Sequence, residues 1–196
     1  MEKKRDEWEK TLEIKDLVIH YTSDSETVYA VNGIDMEISK GKTLGLVGET
    51  GAGKTTTALS ILNLIPEPSG KIISGEVKVK GKDVLQMGTQ ELRSLRGDQV
   101  AMIFQDPFSS LNPRKTVAET IEEPLILSKM IPDKEKRFIR VLELMDRIGL
   151  AERLVNTYPH ELDGGRRQRI GIARALALDP KFIVCDEPVS ALDVSI

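Results

Sequence analysis

The sequence has little of several features that mark particular protein classes. Its 196 residues include one cysteine, so an intramolecular disulfide is impossible and no oxidising compartment is needed. Aromatic residues make up 4%, which leaves few platforms on which nucleic-acid bases could stack. The longest unbroken apolar run, at 100–104, is far shorter than the ~20 residues that cross a bilayer. We therefore expect a cytoplasmic protein that reaches a membrane only through a partner.

Neither sign of charge dominates, since the chain has 28 Lys and Arg and 31 Asp and Glu, a net charge of −3. This balance excludes a strong polycation, and 40% apolar residues exclude a disordered or collagen-like chain. The first ten residues are highly charged and lack the apolar stretch of a secretory signal. The length is about 1.3 times a typical domain, so we expect a single domain over residues 1–196.

Hydrophobic patterning predicts a parallel α/β core, preceded by an antiparallel β-subdomain and interrupted by a helical insert at about 106–160. In the helix expected over 135–148, the apolar face is formed by Phe138, Val141, Leu142, Met145 and Ile148. The other predicted helices span 55–64 and 165–178. The predicted strands span 12–19, 34–38, 43–47, 76–80, 100–104 and 182–185.

A glycine-rich loop lies between a predicted strand and a predicted helix. Its pattern, G-x-x-x-x-G-K-T at 48–55, fits phosphate binding because glycines let backbone N–H groups approach phosphate oxygens. Lys54 would reach the β- and γ-phosphates of a nucleotide, and the Thr55 hydroxyl would bind Mg²⁺. The alternative is a glycine-rich turn with an exposed lysine. The predicted nucleotide-binding residues here are Gly48, Glu49, Thr50, Gly51, Ala52, Gly53, Lys54, Thr55 and Thr56.

Two carboxylates follow the apolar strand expected at 182–185, at the ligand-binding edge of a parallel sheet. We predict that Asp186 holds Mg²⁺ and that Glu187 polarises an attacking water as a general base. The alternative is that both acids simply favour a helix N-terminus. Cys185, just before them, is expected to be a small buried hydrophobe rather than a redox group.

Gln105 and Tyr21 are further candidates for the same site. Gln105 ends the strand expected at 100–104, where a neutral amide could bind the metal and orient water; an ordinary polar strand end is the alternative. Tyr21 closes the first strand, and its ring could stack on adenine unless it is simply a surface tyrosine. His20 and His160 have no second ligand at a suitable spacing and are not predicted to bind metal.

The order of these motifs resembles an ABC-transporter ATPase subunit, from about Leu12 onward. The segments that carry the resemblance are the loop at 48–55, Phe104-Gln-Asp-Pro107, Leu162-Asp-Gly-Gly-Arg-Arg-Gln-Arg169, Cys185-Asp-Glu-Pro188 and Ser190-Ala-Leu-Asp193. Residues 106–114, 158–162 and 185–196 look like the oligopeptide/dipeptide (and nickel) importer branch, most of all its F-type ATPase. The resemblance implies a P-loop NTPase fold, ATP and Mg²⁺ as ligands, and ATP hydrolysis coupled to solute import.

The resemblance also implies partners and further site residues. It implies a head-to-tail dimer with a second ATPase subunit, identical or different, in which each ATP lies between one chain's phosphate loop and the other chain's signature motif. It further implies permease subunits at the cytoplasmic face of the membrane, an external solute-binding protein acting indirectly, and no nucleic acid. By matching position, Gln105 is the Q-loop glutamine; the signature contacts are Asp163, Gly164, Gly165 and Gln168, and the D-loop aspartate is Asp193.

Two departures from the family pattern bear on activity. The signature normally reads Leu-Ser-Gly-Gly-Gln, whereas this chain has Leu162-Asp-Gly-Gly-Arg166. A carboxylate at 163 would face the partner's γ-phosphate, although Asp also serves as an N-cap as well as Ser does. The sequence ends at Ile196, where a further core strand and a switch histidine would follow, so we expect a fragment or a truncation.

Three functional hypotheses follow from these motifs. The leading one is an ATPase subunit that energises uptake of peptides or a similar small solute. A nucleotide-binding fragment without turnover is the second, supported by Asp163 and by the missing histidine. A soluble ABC ATPase of DNA repair or translation is the third, disfavoured by the single cassette, the acidic charge balance and the importer-like motifs.

Overall fold

A computed structural model of the chain describes residues 10–188. The described chain folds as two compact units, which divide between Arg93 and Ser94. Helices occupy much of the segment 106–160, where the insert was expected, and all of them belong to the second unit. In the described part of the chain, no helix combines the length and the apolar character needed to cross a membrane.

The first unit is built on a four-stranded antiparallel sheet in the order β2-β1-β3-β4. Its strands are β1 (Lys10–Thr22), β2 (Thr27–Ser39), β3 (Gly70–Val79) and β4 (Lys82–Asp83), and its helices are α1 (Lys54–Ser60) and most of α2 (Thr89–Ser94). The buried positions of β1 change from even to odd numbers between Ile14 and Leu17. The change coincides with a register shift, and Asp16 there has φ 45°, so a β-bulge keeps both apolar sets on the core face.

The second unit contains a parallel strand pair and several helices. The strands are β5 (Val100–Ile103) and β6 (Phe182–Cys185), paired from Val100 with Phe182 to Ile103 with Cys185. The helices are α3 (Pro107–Ser110), α4 (Val117–Ser128), α5 (Lys134–Arg147) and α6 (Gly164–Leu176). Their core is a cluster of fully buried aliphatic side chains that includes Val117, Ile121, Leu125, Val141, Leu144, Met145 and Ile170.

Side-chain caps fix the starts of the longer helices in the second unit. Thr116 and Glu119 form a reciprocal capping box at α4, and Asp133 accepts a hydrogen bond from the Lys136 N–H at α5. Asp163 caps α6 by accepting from the Arg166 N–H at 2.7 Å. Each cap satisfies backbone donors that would otherwise have no partner within the helix.

The strand predicted over 43–47 is wrong, since the structure has no regular element there. Leu44, Leu46 and Val47 are 47%, 48% and 93% exposed. An apolar run becomes a parallel strand only when neighbouring strands and helices cover it, and none among residues 10–188 pairs with this segment. The apolar run at 43–47 is therefore not sufficient by itself to form a strand.

Two predicted helices also differ in detail from the structure. Helix α1 ends at Ser60 and is followed by a turn, although the prediction continued to 64. On α5, Phe138 is 45% exposed, whereas Leu144 is fully buried. Val141 and Met145 are buried, and Leu142 and Ile148 pack against the same core. The predicted face is therefore confirmed except that it included Phe138 and left out Leu144.

Candidate functional site

The phosphate-binding candidate is an exposed loop in the first unit that leads into α1. Gly51 and Gly53 have φ values of 83° and 79°, a left-handed backbone that favours glycine. A Cβ at Gly53 would collide with the Ala30 carbonyl oxygen, so position 53 needs glycine for space as well as for backbone conformation. The fold of the loop therefore requires glycine at positions 51 and 53.

Lys54, the first residue of α1, lies back against this loop. Its Nζ donates hydrogen bonds to the carbonyl oxygens of Gly48 and Glu49 at 2.7 and 2.8 Å. The ammonium group is therefore held at the loop backbone by two neutral acceptors. A phosphate oxygen, which carries charge, would be a stronger acceptor for the same group.

Tyr21 lies near the end of β1, opposite Val28 of β2 and Gly70 of β3. A Cβ at Gly70 would lie 2.8 Å from the Tyr21 ring, so the glycine leaves space for the ring. Tyr21 is partly buried, which leaves part of its surface accessible. Its stacking on adenine stays a prediction.

In the second unit, the parallel pairing of β5 and β6 brings Gln105 and Glu187 together. Both residues lie two positions beyond paired strand ends, and the Gln105 Nε2 donates to the Glu187 Oε2 at 2.6 Å. The Asp186 N–H donates to the Ile103 carbonyl oxygen at 2.9 Å, and Asp186 is 7% exposed. A carboxylate and an amide therefore meet at the carboxyl end of the strand pair.

Two side chains near the carboxyl ends of β5 and β6, Asp106 and Cys185, have shifted pKa values. The Phe108 N–H donates to the Asp106 carboxylate, and this bond is the main reason that the pKa of Asp106 lies below its ordinary value. Desolvation raises the pKa of the Cys185 thiol, which argues against a reactive thiolate. Cys185 is nevertheless exposed, so its expected burial is wrong, because no third strand covers β6 among the described residues.

The signature segment begins α6. Asp163, at the N-cap, also forms an ion pair with Arg166, with 3.2 Å between its Oδ2 and the Arg166 Nη1. Both departures from the family signature thus lie in one charge-compensated pair. Only Asp163 was considered from the sequence. The i,i+3 spacing of positions 163 and 166, close to the start of a predicted helix, is the signal that links the two residues.

Gln168 occupies a different environment from the rest of the signature. It is 1% exposed, and its Nε2 donates to the Pro188 carbonyl oxygen at 3.0 Å. This burial does not fit the expected nucleotide contact, because a side chain without accessible surface offers no donor to a phosphate. Asp163 and Gly164, by contrast, are exposed.

Two further points concern the predicted metal and D-loop residues. Among residues 10–188, no three His, Cys, Asp or Glu side chains are grouped as ligands for a metal ion. The predicted set of Thr55, Gln105 and Asp186 contains only one carboxylate and would need oxygens from outside the chain. Asp193 lies outside the described residues.

The sequence profile of the ABC transporter family matches residues 31–190. The oligopeptide transport ATP-binding protein OppF of Bacillus subtilis (strain 168) is 49% identical over 188 residues, covering 96% of this chain and 60% of the relative. The dipeptide transport ATP-binding protein DppF of Lactococcus lactis subsp. cremoris (strain MG1363) is 46% identical, over 95% of this chain and 59% of the relative. The chain thus spans about 60% of the length of these relatives.

The fold is also found among solved structures. The ATP-binding cassette MJ0796, in a dimeric post-hydrolysis state bound to ADP and Pi, superposes with a TM-score of 0.85 and is 33% identical. The alignment covers 93% of this chain and 76% of that chain. A P-loop ABC ATPase fold, as expected from the sequence, is therefore confirmed.

Proposed function

The chain belongs to the ABC transporter family, and from this premise we propose that it is an ATP-binding and ATP-hydrolysing subunit that energises import of peptides or a similar small solute. The phosphate loop is the observation that carries the proposal, since the fold requires glycine at positions 51 and 53 and Lys54 lies against the loop. The peptide branch rests on relatives described as oligopeptide and dipeptide transport proteins.

The proposed chemistry is transfer of the terminal phosphoryl group of ATP to water. Gly48–Thr56 would bind the phosphates through backbone N–H groups and the Lys54 ammonium. Glu187 would take a proton from the attacking water. The water oxygen would then bond to the γ-phosphorus while the bond between the γ-phosphorus and the ADP oxygen breaks. Gln105, already bonded to Glu187, would orient the same water.

The donor set suits Mg²⁺ as the accompanying metal. Thr55 in the first unit offers a hydroxyl oxygen, and Gln105 and Asp186 in the second unit offer an amide and a carboxylate oxygen. Mg²⁺ prefers such oxygen ligands, completed by phosphate and water. A bound ion would neutralise charge on the phosphates. Asp186 would hold its position because its backbone is tied to β5.

We propose that the chain acts as part of a larger assembly. A head-to-tail dimer with a second ATPase subunit is supported by its likeness to a dimeric cassette. Peptide-importer relatives support attachment to permease subunits at the cytoplasmic face of the membrane, with a solute-binding protein acting outside. Asp163 in the signature also supports a second candidate, a nucleotide-binding module with little turnover.

Lys54→Ala tests the nucleotide site directly. We expect Mg-ATP affinity in a calorimetric titration to fall at least about tenfold, which corresponds to about 1.4 kcal/mol, because a charge-assisted bond to phosphate is lost. Lys82→Ala, an exposed lysine on β4 of the same unit, is the matched control and should bind ATP as the parent does. Equal affinity of Lys54→Ala and Lys82→Ala would overturn the site.

A further inference from the structure

Gln168 differs from three buried hydroxyl side chains of the described region. Thr57, Ser60 and Thr120 are buried hydroxyls that bond to carbonyl groups three or four residues earlier in the chain. Gln168 instead reaches out of α6 and donates to Pro188, 20 residues later in the chain. Burying an amide is costly unless its hydrogen bond is satisfied, so this contact is a specific feature of the fold.

The segment that Gln168 contacts has an unusual backbone. Glu187, directly before Pro188, has φ 46°, a left-handed conformation that costs a non-glycine residue about 1–2 kcal/mol. Such strain persists only where the surroundings hold it. Asp186 is tied to Ile103 on one side of Glu187, and Gln168 ties Pro188 on the other.

The same helix also holds the segment after Gln105. Arg174, six residues beyond Gln168 on α6, donates from Nη1 to the Ser110 carbonyl oxygen at 2.6 Å, and its side chain is largely desolvated. Helix α6 therefore supports both chain segments that contribute to the Gln105–Glu187 contact.

We propose that Gln168 is a positioning residue that fixes the left-handed turn at Glu187 and so the direction of its carboxylate. It acts through the Pro188 backbone and does not touch the reacting atoms. Because α6 begins with the signature residues, Gln168 connects the signature end of the helix to the carboxylate of the same chain. The proposal rests on the proposed function, in which Glu187 is the base.

The first experiment measures amide hydrogen exchange and needs no activity. We compare the chain with Gln168→Met, which keeps the length of the side chain and removes its donor, and follow the peptide over 182–187. Exchange at Asp186 and Glu187 should rise about tenfold, as expected when one buried hydrogen bond is lost. Peptides from α5 should stay protected. Unchanged exchange at 186 and 187 would overturn the proposal.

Thr120→Val is the matched control, since it removes a buried hydroxyl of the same unit that bonds only to the Thr116 carbonyl at the start of α4. It should leave exchange at 186 and 187 unchanged, and an equal rise would mean that any buried polar deletion loosens this edge. If Gln168→Met fails to fold, Gln168→Asn replaces it, because this variant keeps the amide on a side chain one methylene shorter. The same rise in exchange at 186 and 187 is expected, and unchanged exchange would overturn the proposal.

The second experiment separates catalysis from binding. Gln168→Met should lower kcat for ATP hydrolysis about tenfold, while the KM for ATP changes less than about twofold, because phosphate binding is assigned to the loop at 48–56. Unchanged kcat despite faster exchange would overturn the positioning role. If the parent chain hydrolyses no ATP, the proposed function fails, and the exchange result still decides whether Gln168 fixes the turn.

Discussion

Glu187 is the residue whose role is most sharply testable. Glu187→Gln keeps an oxygen that can accept from the Gln105 Nε2 but removes the group that takes a proton from water. We expect phosphate release to fall to background while Mg-ATP affinity, measured by calorimetry, stays within about threefold of the parent, a change of less than 1 kcal/mol. Release at the parent rate would show that Glu187 is not the base.

At the scale of elements, the stability of the second unit depends on the buried face of α5. Leu144 is fully buried in the helical core, so Leu144→Ala should lower the free energy of unfolding by about 2–5 kcal/mol through lost burial and a cavity. Phe138→Ala, on the same helix but 45% exposed, should cost about 1 kcal/mol or less. Urea unfolding followed by circular dichroism measures both variants, and equal losses would contradict the observed helix orientation.

The elements show how far sequence patterns determine this fold. The strand at 182–185 was predicted with the observed bounds, because a short apolar run between Asp-Pro and two acids leaves little freedom. The run at 43–47 looked similar, yet it forms no strand, because pairing depends on partners that a local pattern does not contain. The amphipathic pattern located α5 within one residue at each end and most of its buried face, but it included Phe138 and left out Leu144, since both residues are apolar.

The sequence indicated part of the candidate site. Gln105, Asp186 and Glu187 were selected because each follows a predicted apolar strand, and the parallel pairing of β5 and β6 explains why Gln105 contacts Glu187. The burial of Gln168 was not predictable, because its partner is a backbone carbonyl 20 residues away. Contacts to backbone groups leave no residue type in the sequence that would reveal them.

At the scale of the whole molecule, the Asp163–Arg166 pair bears on the proposed dimer. If the signature faces a phosphate held by the partner subunit, an uncompensated carboxylate about 4 Å away would cost about 4 kcal/mol at an effective dielectric constant of 20. Arg166 lies 3.2 Å from Asp163 and offsets that charge. The exposed ion pair adds at most about 1 kcal/mol to the free energy of unfolding. We therefore expect its main effect to be on the binding of the partner's phosphate.

We therefore expect charge at positions 163 and 166 to control ATP-driven dimerisation, measured by sedimentation velocity in the Glu187→Gln background. Arg166→Gln leaves the carboxylate uncompensated and should weaken dimerisation at least about tenfold, since about 1.4 kcal/mol suffices for that change. Adding Asp163→Ser to Arg166→Gln should restore it, and Asp163→Ser alone should strengthen it. Arg153→Gln, an exposed charge removal in the same unit, controls for net charge. Identical dimerisation of all variants would mean that Asp163 serves only as the N-cap of α6, where serine is an equal substitute.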